Sequence, residues 1–257
     1  MKKTNELFNK PSLNFWIILT LFLVVAVSPI LDIYVSKIFY ENNRFYLKDN
    51  IVFELVRTGI PEFLLLVAAA IFIIWIVGFA RNKQWIAKVD TKIMALTTGS
   101  MVLGPGLIVN GIFKSFWGRA RPFNTIEFGG TKLFTPPVII ANQCDVDCSF
   151  MSGHTAVGFW IFCFALLAPR KHRKVSITFA ALFGVLVGVA RIAQGSHFFS
   201  DVFFSAVVTT SIIIWLHYKI FPNEYDGFIL KADKISDNIK EFTENLKDVE
   251  IKIFKKK

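Results

Sequence analysis

What most constrains this chain is a succession of long apolar runs. A helix that crosses a bilayer needs about 20 mostly apolar residues. Five stretches fit that description: Phe15 to Leu31, Pro61 to Ala80, Ile93 to Phe113, Thr155 to Ala168 with its flanks, and Val175 to Ala190. A sixth runs from Val202 to Ile220. With 54% hydrophobic residues and 28 Phe among 257 positions, one water-soluble core would be over-filled, whereas a bilayer accepts apolar side chains on the outside of a bundle. The expected fold is therefore an all-α integral membrane protein, a six-transmembrane helix bundle over residues 1–221. The first run follows Lys2, Lys3 and Lys10 as a signal peptide would. It is too long for one and lacks a small-residue cleavage site before Asp32, so it reads as an anchor.

Lys and Arg in the short connections give the orientation. Lys2, Lys3 and Lys10 precede the first run; Arg81, Lys83, Lys88 and Lys92 follow the second; Arg170, Lys171, Arg173 and Lys174 follow the fourth. All three groups fall on one side of a six-span layout, expected to be cytoplasmic, with both termini inside. The same scatter of charge explains a net charge of +10 without nucleic acid as a partner. From residue 222 the composition changes, with eight Lys against eight Asp plus Glu. Phe228, Ala232, Ile235, Ile239, Phe242, Leu246, Val249 and Ile253 alternate by four and three, the stripe of an amphipathic helix. This cytoplasmic tail, 222–257, is expected either to lie at the membrane interface or to pair in a coiled coil, giving a homo-oligomer.

Three polar clusters stand at the outer ends of the runs: Lys114 to Pro122 (KSFWGRARP), Ser149 to His154 (SFMSGH) and Arg191 to Asp201 (RIAQGSHFFSD). Ionisable side chains at that depth are functional candidates. Snorkelling to headgroups is the plain alternative for Lys114, Arg119 and Arg121 taken singly. Lys114, Arg121 and Arg191 supply three cations suited to phosphoryl oxygens, and Ser152 with the amide of Gly153 adds neutral donors. His197 and Asp201 are four residues apart, so on a helix the carboxylate can accept the Nδ1 proton and leave Nε2 as a nucleophile. His154 can protonate a leaving oxygen. Anion site, nucleophile and acid together describe phosphoryl transfer through a phosphohistidine.

In order and spacing, Lys114 with Arg121-Pro122, then Ser152-Gly153-His154, then Arg191 with His197 and Asp201 resemble the three-part signature of the type 2 phosphatidic acid phosphatase (PAP2) superfamily. The resemblance implies that Lys114, Arg121, Ser152, Gly153 and Arg191 bind phosphate, that His154 is the general acid and that His197 with Asp201 forms the nucleophile pair. It implies no metal and no cofactor. Met151 and Ala190 stand where the family usually has Pro and Ser. Neither change removes a charge, a proton carrier or the nucleophile. The flanking GPGLIVNGIFKSFWGRARP, FTPPVIIANQCDVDCSF and ARIAQGSHFFSDV look most like the bacterial lipid A phosphatases of the 4′ type. That likeness implies a Gram-negative inner-membrane enzyme acting on a membrane lipid phosphate at the periplasmic face.

Several readings stay open. Cys144 and Cys148 pair as a disulfide or remain free, and zinc lacks further ligands nearby. Asp145 and Asp147 read as solvated loop charges, with a divalent-cation site as the rival. Gly104, Pro105 and Gly106 either kink the third run or wall a cleft for acyl chains. Undecaprenyl pyrophosphate, phosphatidylglycerol phosphate or phosphatidic acid would suit the same residues as substrates, as would lipid phosphotransfer. A lipid transporter is the non-enzyme alternative; internal repeats would favour it, and none is evident.

Overall fold

The computed structural model describes residues 13–81 and 89–224, with side chains described from residue 25 onward. The amphipathic stripe of the tail and the basic residues Lys83 and Lys88 lie outside the described residues. Helix α1 (Leu13–Lys37) leads into a two-stranded hairpin, β1 (Tyr40–Glu41) and β2 (Arg44–Phe45), turned by Asn42 and Asn43 at φ 51° and 61°. Asn tolerates this left-handed conformation better than most residues. Helix α2 (Ile51–Ala80) is capped by the Asn50 side chain, which accepts from Val52 N, and α3 (Thr91–Met101) by Asp90, which accepts from Ile93 N.

The run after α3 keeps its helical course but widens into a π-helix over Val102–Phe113, closing into the short α4 (Lys114–Phe116). Pro105 sits inside it and has no N–H to give to the usual ladder, which is one physical cause of such widening. The Asn110 side chain donates to the Pro105 carbonyl at 2.6 Å, satisfying an acceptor that the widened turn exposes. A long connection with two single 3-10 turns, Pro122–Asn124 and Ile126–Phe128, leads to α5 (Gly153–Trp160) and α6 (Phe162–Leu167). Helices α7 (Arg170–Ala193) and α8 (Phe199–Ile220) follow.

Helices lie under each of the six apolar runs. Among the described residues, four helices are long and apolar enough to cross a membrane: Ile51–Ala80, Thr91–Phe116, Arg170–Ala193 and Phe199–Ile220; Gly153–Leu167 is apolar but shorter. Their surfaces carry large exposed apolar side chains such as Phe63, Leu66, Phe79 and Phe179, as expected where lipid rather than water is the solvent. The chain divides into two compact units, Met1–Ile213 and Ile214–Lys257. The described part of the second consists of the last turns of α8 and the 3-10 turn Pro222–Glu224.

In the first unit α5 packs chiefly on α7, and the side chain of Val187 comes close enough to Gly158 that a Cβ there would lie 3.1 Å away. At the end where α5 begins, Phe45, Phe128 and Phe198 are buried together, so the hairpin, the long connection and the start of α8 share one aromatic cluster. Gly195, at φ 69°, lies beneath the Phe45 ring, and a Cβ there would fall 2.3 Å from it. Only glycine combines that φ with that approach.

Candidate active site

The long connection returns to the end of α4 through main-chain hydrogen bonds. Ala141 N donates to Trp117 O, Gln143 N to Gly118 O and Ser149 N to Arg119 O, each at 2.9 Å. The first and second polar clusters are thereby held side by side. Ser152 then caps α5, its Oγ accepting from Thr155 Oγ1 at 2.8 Å and from Thr155 N at 3.4 Å. Its own hydroxyl proton stays available to an anion, as does the Gly153 amide at the positive end of the helix. A Cβ on Gly153 would lie 2.4 Å from Asn110 Oδ1, so the widened helix packs closely against this turn, and a larger residue there would have to displace the Asn110 side chain.

His197 precedes α8 and is fully buried. Its Nδ1 is 2.8 Å from the Ser149 carbonyl oxygen, whereas Asp201 Oδ2 is 3.8 Å away. This differs from the one-turn helical pairing expected from spacing, because His197 lies outside the helix that carries Asp201. A carbonyl only accepts, so Nδ1 carries the proton and the Nε2 lone pair is left open. Burial pushes the imidazole's pKa down to about 4, with Asp201 opposing the shift through its charge. The ring is therefore neutral near pH 7.

Among the described residues, His197 Nε2, His154 Nδ1 and Arg191 Nε are buried with no hydrogen-bond partner. Lys114, Arg121, Arg191 and His197 all lie within electrostatic reach of His154. The structure thus brings Lys114, Arg121, Ser152, Gly153, His154, Arg191, His197 and Asp201 to one end of the bundle. Arg191 Nη1 donates to Gln194 Oε1 at 2.5 Å, and Gln194 Nε2 donates to the Lys48 carbonyl at 3.4 Å. A polar cleft of about 450 Å³ opens there, lined by Lys48, Glu54, Arg57, Arg121, Arg191 and Gln194 among others. Beside the π-helical segment runs an apolar groove of about 470 Å³ bordered by Leu65, Pro105, Leu107 and Val157.

The sequence profile of the PAP2 superfamily matches residues 93–225. The chain belongs to the PAP2 superfamily. Lipid A 4′-phosphatase of Francisella tularensis subsp. novicida is 45% identical over 121 residues, covering 46% of this chain and 54% of that protein. Lipid A 4′-phosphatases of Rhizobium leguminosarum and Rhizobium etli are each 30% identical, over 205 and 217 residues; the matches cover 74% and 79% of this chain and 87% and 84% of those proteins. The chain thus spans about half of the Francisella relative and more than four fifths of the other two.

The PAP2 match contains every motif residue but leaves out α1, the hairpin and α2. One buried side chain nevertheless crosses that limit. Arg119 is fully buried, which overturns the snorkelling alternative for this residue. Its Nη2 donates to Asp32 Oδ2 at 2.8 Å and its Nη1 to Asp201 Oδ1 at 2.5 Å and Ser200 Oγ at 2.8 Å; Nε donates to the Thr135 carbonyl at 2.8 Å. Asp32, on α1, also accepts from Ser200 N and Ser200 Oγ, each at 2.7 Å. Asp201 Oδ2 accepts from Ser149 Oγ at 2.6 Å and Phe198 N at 2.7 Å. One signal for Asp32 lay in the sequence: Ser28, Asp32 and Ser36 recur every four residues in an apolar helix, and all three are buried.

Asp147 is not a solvated loop charge. Its carboxylate forms ion pairs with both Lys114 and Arg121, and its carbonyl accepts from Arg121 Nε at 2.9 Å. The carboxyl's pKa lies below its ordinary value: burial alone would raise it, and the Lys114 hydrogen bond with the charges of Arg121 and Lys114 outweighs that. Cys144 and Cys148 are joined in a disulfide around this residue, with Cα atoms 5.5 Å apart. Among the described residues no three His, Cys, Asp or Glu side chains converge as a metal site. Cys163 is free and buried.

Proposed function

We propose that this chain is a membrane lipid phosphatase that removes a phosphate monoester from lipid A, with the 4′ position favoured, through a phosphohistidine on His197. One observation carries the reading: a neutral, buried imidazole whose Nδ1–H is spent on the Ser149 carbonyl, so that Nε2 is left as a buried lone pair with no hydrogen-bond partner, within electrostatic reach of Arg191 and Arg121. The names of the three relatives support the substrate.

In the first step Lys114, Arg121, Arg191, the Ser152 hydroxyl and the Gly153 amide hold the phosphoryl oxygens. His197 Nε2 attacks phosphorus; the N–P bond forms as the bond to the sugar oxygen breaks, and His154 gives that oxygen its proton. In the second step water attacks phosphorus as His154 takes its proton, which releases inorganic phosphate and returns the Nε2 lone pair. The imidazolium character that grows on His197 is stabilised by the Asp201 carboxylate nearby, while the Ser149 carbonyl keeps the ring oriented. No step calls for a metal, so activity is expected to survive exhaustive treatment with a chelator.

The Lys and Arg of the short connections support a six-span layout with both termini inside, and on that layout the active site stands at the outer face of the inner membrane. Acyl chains then stay in hydrocarbon along the groove beside Pro105 while the phosphorylated sugar rises to the cations. His197→Ala is expected to abolish phosphate release from radiolabelled lipid A in proteoliposomes. Undiminished release would remove the phosphohistidine. His154→Ala is expected to harm hydrolysis of lipid A far more than that of nitrophenyl phosphate, whose leaving group needs no proton; equal losses would take His154 out of the acid role. In a protein lacking its native Cys, Thr131→Cys should react with an impermeant thiol reagent in intact spheroplasts and Lys171→Cys only after lysis. The opposite pattern would invert the layout.

A further inference from the structure

Lys114 and Arg121, two of the cations assigned to the substrate phosphate, already share one carboxylate. Asp147 reaches Lys114 with Oδ1 and Arg121 with Oδ2, so its two oxygens take the positions that two phosphoryl oxygens would need on these side chains. The arrangement is held on both sides. Arg121 Nε is bound to the Asp147 carbonyl, and the Cys144–Cys148 disulfide closes the chain around the residue. Asp147 itself has a φ of 54°, an uncommon conformation for a side chain other than Asn, Asp or Gly. Its side chain is 59% exposed, against 15% for Lys114 and 13% for Arg121. The carboxylate can therefore swing into solvent while the cations stay where they are. Of the other cations near the site, Arg57 is paired with Glu54, whereas Arg191 gives Nη1 to the neutral Gln194 amide and keeps its Nε without a partner.

We propose that Asp147 is an internal competitor for the anion site: it occupies Lys114 and Arg121 in the resting protein, yields to the substrate phosphate and returns to displace the phosphate left after hydrolysis. This rests on the assignment of those two cations to the substrate. The carboxylate is tethered, so it competes at a constant high effective concentration, and a small anion with no other anchorage is disfavoured. A substrate that also buries acyl chains and a sugar overcomes the competition. Because only the fraction of molecules with Asp147 turned away binds an anion, every tetrahedral anion is weakened by the same factor, the reciprocal of that fraction.

The test is calorimetric titration of the detergent-solubilised full chain with inorganic phosphate and, separately, with sulfate. Asp147→Asn keeps the size of the side chain and removes the charge. It is expected to tighten both anions by a common factor of about tenfold, the scale set by two partly exposed ion pairs. Asp147→Ser should act likewise if Asn is poorly tolerated. Asp145→Asn, on the same loop, removes one charge with no ion pair to the cations among the described residues, and it should leave both affinities within about twofold of the starting protein. Unchanged or weaker phosphate binding in both Asp147 variants would overturn the proposal, since the carboxylate would then be orienting the cations. Equal tightening by Asp145→Asn would overturn it too, by reducing the effect to net charge. Repeating the titration in His197→Ala needs no turnover. If that variant still hydrolyses lipid phosphate while Asp147→Asn binds phosphate more tightly, the competitor stands and the phosphohistidine reading falls.

Discussion

Two clusters of carboxylates and cations grow from neighbouring positions in the segment Lys114 to Arg121, and they differ in one variable. Around Arg119 both partners of each ion pair, Asp32 and Asp201, are wholly buried. Around Lys114 and Arg121 the shared partner, Asp147, is more than half exposed. In the first cluster, separating a pair strands a charge where no water can replace the partner, so the geometry is kept even though the ions gave up their hydration to enter. In the second, water stands ready as an alternative partner, each pair is worth little, and exchange is cheap. Burial thus divides one motif into a scaffold that fixes Asp201 beside His197 and a set of hands that can let go of one anion and take another.

The largest effect is expected at Arg119. Replacing it with Ala strands Asp32 and Asp201 together, and a loss of about 3–5 kcal/mol in unfolding free energy is expected in a detergent melt, with activity lost in parallel. A loss below 1 kcal/mol would show that water reaches the cluster and would erase the contrast. Next, Arg121→Lys and Arg191→Lys keep charge but not the planar fork, and each should cost on the order of 1–3 kcal/mol of transition-state binding, measured as kcat/KM. The fold should hardly change, in contrast to Arg119. The buried region also has a titration signature. Burial disfavours the charged imidazole, so His197 is expected to stay neutral as pH falls through 6.5 and to take a proton only near pH 4, read from NMR of the labelled side chain by difference with His197→Ala. At pH 5 an ordinary histidine would be about 97% protonated. A midpoint near 6.5 would mean that solvent enters. Asp147→Asn should lower unfolding free energy by less than about 1 kcal/mol, whatever it does to anion binding. Smallest of all, Glu54→Gln breaks the exposed pair with Arg57 and is expected to leave the melting temperature unchanged.

The sequence made one kind of information plain and hid another. The six helical stretches and the eight motif residues were legible because apolar length and fixed spacing are local properties, written where they act. Asp32 meets Arg119 across 87 residues, and no local pattern reports that pairing. The partner of His197 Nδ1 was missed for a different reason: it is the main-chain carbonyl of Ser149, and a backbone group has no letter of its own. Asp147 looked like a loop charge because Lys114 and Arg121 reach it only after the connection has folded back on Trp117, Gly118 and Arg119. The widening of the third run was half legible. Pro105 announced an interruption, but not that the chain would resolve it as a π-helix carrying Asn110 onto Gly153.

The ties of Asp32 to Ser200 and Arg119 carry a consequence for how the protein is made. Ser200 leaves the ribosome 168 residues after Asp32, so α1 is made with a carboxylate whose partners do not yet exist. A lone acidic group near the bilayer is costly, and the nascent helix must keep it at the surface, or in the care of the insertion apparatus, until the last helices arrive. Completion of the hydrolytic centre and relief of that strandedness are then the same event. A chain cut short before α8 lacks Ser200 and Asp201 together, and so loses the contact that settles Asp32 along with a member of the hydrolytic centre.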